Sequence, residues 1–367
     1  MVESGYAVRG ANGAVLKDHR YCRPGFGSGP EGMPVMEYFT SEVSVILWIL
    51  IVLSLLSPCA YSQQQTLAFS SVDSPNANWY IAKEKQFYKK YGVDAELIYI
   101  PSSTTTISAV VAGSVAVGNI SGGATANAAV GGASVVAVGC FINTLPYELI
   151  VQESIRSAQQ LKGKSVGISR VGSSSDVAAR VLLKELKLEP DKDVAILQVG
   201  GSTERAAAFR TGRIAAFPSP RGTIHLAQGM PHRVLVSTAD FPKGFPFPYV
   251  CPTTSKAYLK NNRDTLKRLL MALIEATHFY KTYKEESKKI FAKYSRQNNE
   301  AYLESAYQSS NKLFEQIPLV NQEGMEIQLK EALVRKTSSS LKVDDIVDDS
   351  LVVELAKEGF ISRIYSR

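Results

Sequence analysis

The chain has 367 residues, 45% of them hydrophobic and 20% charged, with a formal net charge of +7. This composition excludes disorder throughout, and the length allows two domains. Basic residues alternate with glutamates on stretches such as EATHFYKTYKEESKKIFAKY instead of clustering, so no nucleic-acid surface is expected, although a diffuse positive field favours anionic small ligands.

Residues 45–56, VILWILIVLSLL, form an apolar run too short to span a bilayer but suited to a secretion signal. The small-x-small pattern Ala60-Tyr61-Ser62 follows, so residues 1–62 are read as a signal region and the mature chain as starting near Gln63. The segment before the run, MEYFTSE, is acidic, and the leading residues are long for a signal; the true start is therefore read as Met33 or Met36. Cys59 in LLSPC offers a lipid-anchor site, poorly matched because Pro58 precedes it. The mature chain then keeps Cys140 and Cys251, which exclude a disulfide framework and are expected as two buried free thiols, with a single bond between them as the alternative.

From Gln63 onward, strand and helix alternate. TLAFSSV reads as a strand, 78–91 as a helix stopped by Gly92, and VDAELIYI as the next strand. Helix TTTISAVVAG, strand VAVGNIS, the short helix GGATANAAVGG and strand ASVVAVGCF follow. KSVGIS, the helix 176–186, VAILQVG, the helix ERAAAFRTG and the strand IAAFPS make further units. Such alternation predicts an α/β architecture with mainly parallel sheets. Two segments, 143–154 and the Pro/Gly-rich 236–254, interrupt it and read as crossings. Only helices follow, over 263–281, 284–294, 299–315, 323–336 and 344–357, with an apolar stripe of Leu266, Leu269, Leu270, Leu273 and Ile274 in the first. The expected division is one lobe from 63–145 with 240–367, a second lobe from 146–239, and a ligand cleft between them that closes by hinge motion.

Four loops come after a strand and before a helix, the position where open α/β sheets bind ligands. They are 70–76 (SSVDSPN), Ser121-Gly122-Gly123, Gly172-Ser173-Ser174-Ser175 and Gly200-Gly201-Ser202-Thr203. Each offers free backbone N–H groups at a helix N-terminus with hydroxyls beside them, a site for a carboxylate, sulfonate, phosphate or nitrate. Capping alone is equally physical, since Ser173-x-x-Asp176 resembles a capping box, and both roles stay open for each loop. Trp79, Tyr80, Phe141 and Tyr147 are the aromatics placed near the cleft, with Phe141 favoured as its wall; Arg221 is a candidate partner for a ligand anion.

Catalysis finds little support. His225 and His232 are too far apart for a one-face helical metal pair, His278 stands alone, and no cysteine pair has zinc spacing, so no metal site is expected. Neither GNISG nor VGSSSD is a nucleophile elbow, and no lysine follows GSSS as a phosphate-binding loop requires.

The segments SPNANWYIAKEKQFYKKYGVDAELIYI, VVAGSVAVGNISGG, SAQQLKGKSVGISRVGSSSDVAARVLLKELKLEPDKDVAILQVG, AAAFRTGRIAAFPSPRG and KEGFISRIY together resemble a known family. It is that of the extracytoplasmic solute-binding proteins of ABC transporters of the nitrate/sulfonate/taurine type, the SsuA/THI5-like, NMT1-like group. The resemblance implies a type II periplasmic-binding-protein fold: two α/β lobes, two crossings and a helical C-terminal tail packed on the first lobe. It implies ligand-facing positions around Ser71, Asp73, Ser74, Asn78, Ser121, Gly122 and Ser173 to Ser175. To these the loop reading adds Gly123, Phe141, Ser202, Thr203 and Arg221. It also implies a non-catalytic, periplasmic monomer without a cofactor, which delivers a small-molecule ligand to a membrane ABC permease with its ATPase. Pyrimidine-synthase relatives use pyridoxal phosphate and a cysteine-rich motif that this chain lacks. An enzyme of that type, or a periplasmic sensory module, is the alternative.

Overall fold

The computed structural model describes residues 64–223, 230–242, 244–334 and 340–366. The expected secretion signal, Cys59 and His225 lie outside these residues. Among the described residues, no helix is long and apolar enough to cross a membrane.

The strands are β1 (Gln65–Phe69), β2 (Ala95–Tyr99), β3 (Val117–Ile120), β4 (Val135–Ala137), β5 (Tyr147–Gln152), β6 (Ser165–Ile168), β7 (Ala195–Gln198), β8 (Ala216–Pro220), β9 (His232–Ser237) and β10 (Cys251–Ser255). Helices α1 (Ala77–Glu84), α2 (Phe87–Lys90), α3 (Ser103–Val111) and α4 (Gly122–Val130) belong to the first lobe. Helices α5 (Ala158–Leu161), α6 (Ser174–Glu185) and α7 (Ser202–Arg210) belong to the second. The tail carries α8 (Lys256–Asn261), α9 (Arg263–Thr282), α10 (Lys284–Ser295), α11 (Glu300–Asn311), α12 (Gln322–Val334), α13 (Ser350–Lys357) and α14 (Phe360–Tyr365).

Two five-stranded sheets share one plan. Their orders are β2-β1-β3-β10-β4 and β7-β6-β8-β5-β9. In each, the fourth strand is antiparallel to both neighbours, while the first three are parallel. These reversed strands, β5 and β10, lie in the segments read above as bare crossings. The sheets are therefore mixed, because each crossing delivers a strand that enters the other lobe's sheet from the opposite end. Between the lobes the two crossings run antiparallel and bond to each other. Phe141 N–H donates to Val250 O (2.8 Å), Tyr249 N–H to Ile142 O (2.8 Å) and Phe247 N–H to Asn143 O (3.1 Å).

Cys140 and Cys251 form a disulfide where this ribbon enters the first lobe, with their Cα atoms 4.0 Å apart. The expectation of two free thiols is thereby corrected. The residues are 111 apart in sequence, and only the pairing of the two crossings brings them together.

The core of the first lobe lies between its sheet and the tail. All five residues of the α9 stripe are buried, as are Trp79, Tyr80 and Ile81 of α1, and each large aliphatic side chain there contributes about 1.5–3 kcal/mol by leaving water. The single helix expected over 78–91 is broken at Gln86, whose φ of 57° is left-handed; neither glycine nor proline marks the break in the sequence. The bend lets the Tyr88 hydroxyl reach Trp79 O (3.1 Å) and sets Phe87 edge-on to Phe279. The helix expected over 299–315 stops at Asn311, and Glu315 N–H then donates to Phe141 O of the first crossing (2.9 Å). Residues 346–348 leave the helix expected over 344–357 to pair with the edge of β4. Ala137 N–H donates to Ile346 O, and Asp348 N–H donates to Ala137 O. The tail thus covers a sheet edge.

Asp349, at the start of α13, accepts the Val320 N–H in a half-buried position. Burial, outweighing that bond, pushes its carboxyl up to about 6. A folded-state value above the unfolded one means the folded state holds the proton more tightly, so this contribution is full below the unfolded value near 4 and is lost as pH rises through about 6. Asp349→Asn keeps an acceptor for Val320 without the buried charge. Its melting temperature is expected to exceed that of the parent at pH 8 and to lose the advantage at pH 4; equal differences at both pH values would refute this.

Candidate functional site

Loops at the carboxyl ends of four parallel strands converge between the lobes. The loop after β1 brings Ser70 and Ser71, and that after β2 brings Ser102 and Ser103. The loop after β6 brings Ser169, Ser174 and Ser175, and that after β7 brings Gly201 and Ser202. With Asn76, Tyr147, Tyr249 and Arg205 they enclose a cavity of about 20 Å³, room for one water molecule. The lobes are closed on each other here. Ser202 of the second lobe donates to Asp73 Oδ2 of the first (2.6 Å), and Thr104 donates to Val171 O (3.2 Å).

Among the described residues, Arg205 is the only cation lining the cavity, and it is 3% exposed. Its Nη1 donates to Gly200 O (3.1 Å) and its Nη2 to Ser202 Oγ (3.2 Å). Its buried Nε has no hydrogen-bond partner, and among the described residues the guanidinium pairs with no carboxylate. A buried guanidinium with no carboxylate in direct contact is costly, so an incoming anion has a strong claim on it. Ser102 adds a second open group: its Oγ is buried without a partner, and its backbone sits at φ 84°, a strained setting for a serine of the kind that gathers at binding sites. The Tyr147 hydroxyl meets Ser174 Oγ and the Tyr249 hydroxyl, each at 3.2 Å. Burial pushes both phenols above the ordinary tyrosine range, which keeps them protonated and able to donate.

The expected residues divide. Ser71, Ser174, Ser175 and Ser202 line the cavity, as does Tyr147, with Asp73 one hydrogen bond behind Ser71 (2.6 Å). Ser121 stands behind Ser103 (3.1 Å). Ser173 caps α6, accepting Asp176 N–H (3.4 Å) and the Ser169 hydroxyl (2.8 Å). The structure brings the others elsewhere. Ser74 turns to the tail, donating to Ala306 O (2.9 Å), and Asn78 donates to Thr277 of α9 (3.2 Å). Gly122 abuts Pro248 and Met325, and Gly123 abuts Gln328 and Val177. Phe141, Trp79 and Tyr80 are buried in the core. Thr203 lines a separate outer groove. Arg221 lies beside Glu148, whose carboxyl burial pushes up despite the attraction of this guanidinium, and does not reach the cavity. For Ser74, Asn78, Gly122, Gly123 and Thr203 the cause is shared: once a loop enters its helix, successive side chains point about 100° apart, so only some of them face the cleft.

Arg205, Tyr249, Ser102, Ser103 and Ser169 are the lining residues that reading the sequence missed, while Ser70 and Asn76 belong to the expected loop 70–76 without having been singled out in it. Arg205 left a signal. It stands in the first turn of α7, where the helix dipole disfavours a cation, and in a run of alanines. Tyr249 lies on a crossing, where no periodicity points to the cleft.

None of the described histidines lines the cavity: His232 Nδ1 faces Met230 O, and His278 packs on Tyr365. Among the described residues, no group of three or more His, Cys, Asp or Glu is placed to hold a metal.

Residues 74–287 match the family described as NMT1/THI5 like. A Brucella abortus chain known by name only as a binding protein is 31% identical over 223 residues, which are 58% of this chain and 66% of that relative. The chain thus spans just under two thirds of the length of the curated relatives it matches. Among solved structures, the periplasmic aliphatic sulphonate binding protein SsuA from Escherichia coli aligns with a TM-score of 0.61 and 20% identity, covering 77% of this chain and 91% of that one. The periplasmic nitrate-binding protein NrtA from Synechocystis PCC 6803 aligns with a TM-score of 0.65 and 16% identity, covering 81% and 89%. At such identities the likeness concerns the fold, the periplasmic-binding-protein fold of two α/β lobes. With the match extending over more than half its length, the chain belongs to the NMT1/THI5-like family.

Proposed function

We propose that the protein is an extracytoplasmic solute-binding protein, which captures a small organic acid between its lobes and presents it to a membrane ABC permease. The observation that carries this reading is Arg205: a buried guanidinium at a cleft between two lobes, with an unpartnered Nε and, among the described residues, no carboxylate in direct contact. Serine hydroxyls and the N-termini of α3, α6 and α7 surround it and favour negative charge. The hydrogen-bonded ribbon of two crossings is the hinge about which the lobes part and close. The names of SsuA and NrtA, a sulphonate and a nitrate binder, agree with an anionic solute. Among the described residues, no histidine base stands beside the cavity's serines, which favours binding over turnover, and no cofactor enters the reading.

A thermal-shift screen of the purified protein against sulfonates, carboxylates, nitrate and pyrimidines tests the proposal. At least one class of acid is expected to raise the melting temperature saturably, with scattering showing lobe closure. A cationic or uncharged solute as the best stabiliser, or turnover of a bound solute, would contradict it.

A further inference from the structure

The charge of the closed cleft is balanced. Arg205 on one side and Asp73 on the other, the latter 2% exposed, are joined through a single hydroxyl. Ser202 Oγ accepts from Arg205 Nη2 (3.2 Å) and donates to Asp73 Oδ2 (2.6 Å). Ser71 donates to the same oxygen (2.6 Å), so both hydroxyls crowd one oxygen of the carboxylate and Oδ1 takes neither. Ser202 belongs to the second lobe and Asp73 to the first; their bond is a latch across the cleft.

A cavity of about 20 Å³ does not hold an organic solute. To admit one, the lobes must part far enough to separate Ser202 from Asp73. Two buried groups of opposite charge then lose the hydroxyl that relays between them. An anion answers the guanidinium. It does nothing for Asp73, and a donorless acid would put a second negative charge near a carboxylate that has just given up a donor. Leaving a buried carboxylate short of a donor is unfavourable.

Resting on the solute-capture reading above, we infer that the solute is an acid carrying its own hydrogen-bond donor, a protonated amine or a hydroxyl. Its anionic end meets Arg205 and its donor replaces Ser202 on Asp73. Asp73 is then the residue that sets specificity, rejecting plain anions that Arg205 alone would accept. The same comparison underlies many polar sites: a pocket built to satisfy a donor discriminates strongly against the analogue that lacks it.

Titration calorimetry with matched pairs tests this: β-alanine against propionate, isethionate against ethanesulfonate, and nitrate as a donorless anion. In the parent protein the donor-bearing member of at least one pair is expected to bind at least about tenfold more tightly. In Asp73→Asn, whose folding is checked by circular dichroism, the gap is expected to close, chiefly because the donorless anion gains. Equal or tighter binding of the donorless members to the parent protein would overturn the inference while leaving solute capture standing, and needs no variant. An unchanged ratio in a folded Asp73→Asn would overturn it as well. If no acid of either kind binds, the inference falls together with the reading on which it rests.

Discussion

Replacing Arg205 with Met is expected to weaken solute capture severely while leaving the protein folded. In the unliganded protein the guanidinium is buried, its Nε lacks a partner, and only a backbone carbonyl and a serine hydroxyl answer its other nitrogens. The nearest carboxylate, Asp73, is reached only through Ser202 Oγ, so the unliganded protein loses no direct ion pair when the guanidinium goes, and its stability is expected to change little. With an anion bound the loss is large, because truncating one member of a buried, hydrogen-bonded charge pair typically costs about 2–5 kcal/mol. That corresponds to a loss of roughly 30-fold to several thousand-fold in affinity. Calorimetric titration and thermal melting of the same preparation check both halves. Arg205→Lys keeps the charge but not the planar fork, so an intermediate loss is expected. A variant that binds normally, or one that no longer folds without ligand, would show that Arg205 serves structure and not the solute.

The second large effect concerns stability. The Cys140–Cys251 bond closes a loop of 111 residues that contains the whole second lobe. Chain-entropy arguments put such a closure near 4–5 kcal/mol, and measured values are commonly about 2–4 kcal/mol. The double variant Cys140→Ala with Cys251→Ala is therefore expected to melt several degrees lower. Its solute affinity should be spared, since neither residue lines the cavity. Dithiothreitol provides the control: reduction should lower the melting temperature of the parent protein by about the same amount and leave the variant unmoved. A variant as stable as the parent would mean that the two crossings hold without the bond.

Much of this architecture was legible in the sequence because strand–helix alternation is local. Residues such as Leu266, Leu269 and Leu273 announce a buried helix face whatever lies opposite. The reversed strands β5 and β10 were not legible, because their partners are fixed only once the chain has crossed between lobes. Pro252 even argues against a central strand, yet it pairs with Asn119 of β3, the regular pairing to β4 beginning at Thr253. The disulfide shares this dependence on tertiary pairing. In the site, the positions of the loops could be read, but the direction of each side chain could not. Ser71 and Ser74 are three residues apart, and one lines the cavity while the other bonds the tail. Arg205 was not legible because only the small polar residues before the helix carry the local pattern of a binding loop, whereas the charge that answers an anion sits one turn inside it.

The VGSSSD loop illustrates how capping and binding coexist. Ser173 caps α6 and bonds to Ser169 and Ser175, forming a ring of three hydroxyls. Asp176 turns its carboxylate back on Gly172 N–H (2.8 Å) and Arg180 (2.8 Å). These contacts fix the loop and leave Ser174 facing the cavity beside Tyr147.

The most direct measurement is a crystal structure of the protein with the acid that gives the largest thermal shift. The account predicts that acid between the lobes, its anionic group accepting from Arg205 Nε within about 3 Å and Ser202 parted from Asp73. A solute bound outside the cleft, or inside it with its anionic group away from Arg205, would contradict it.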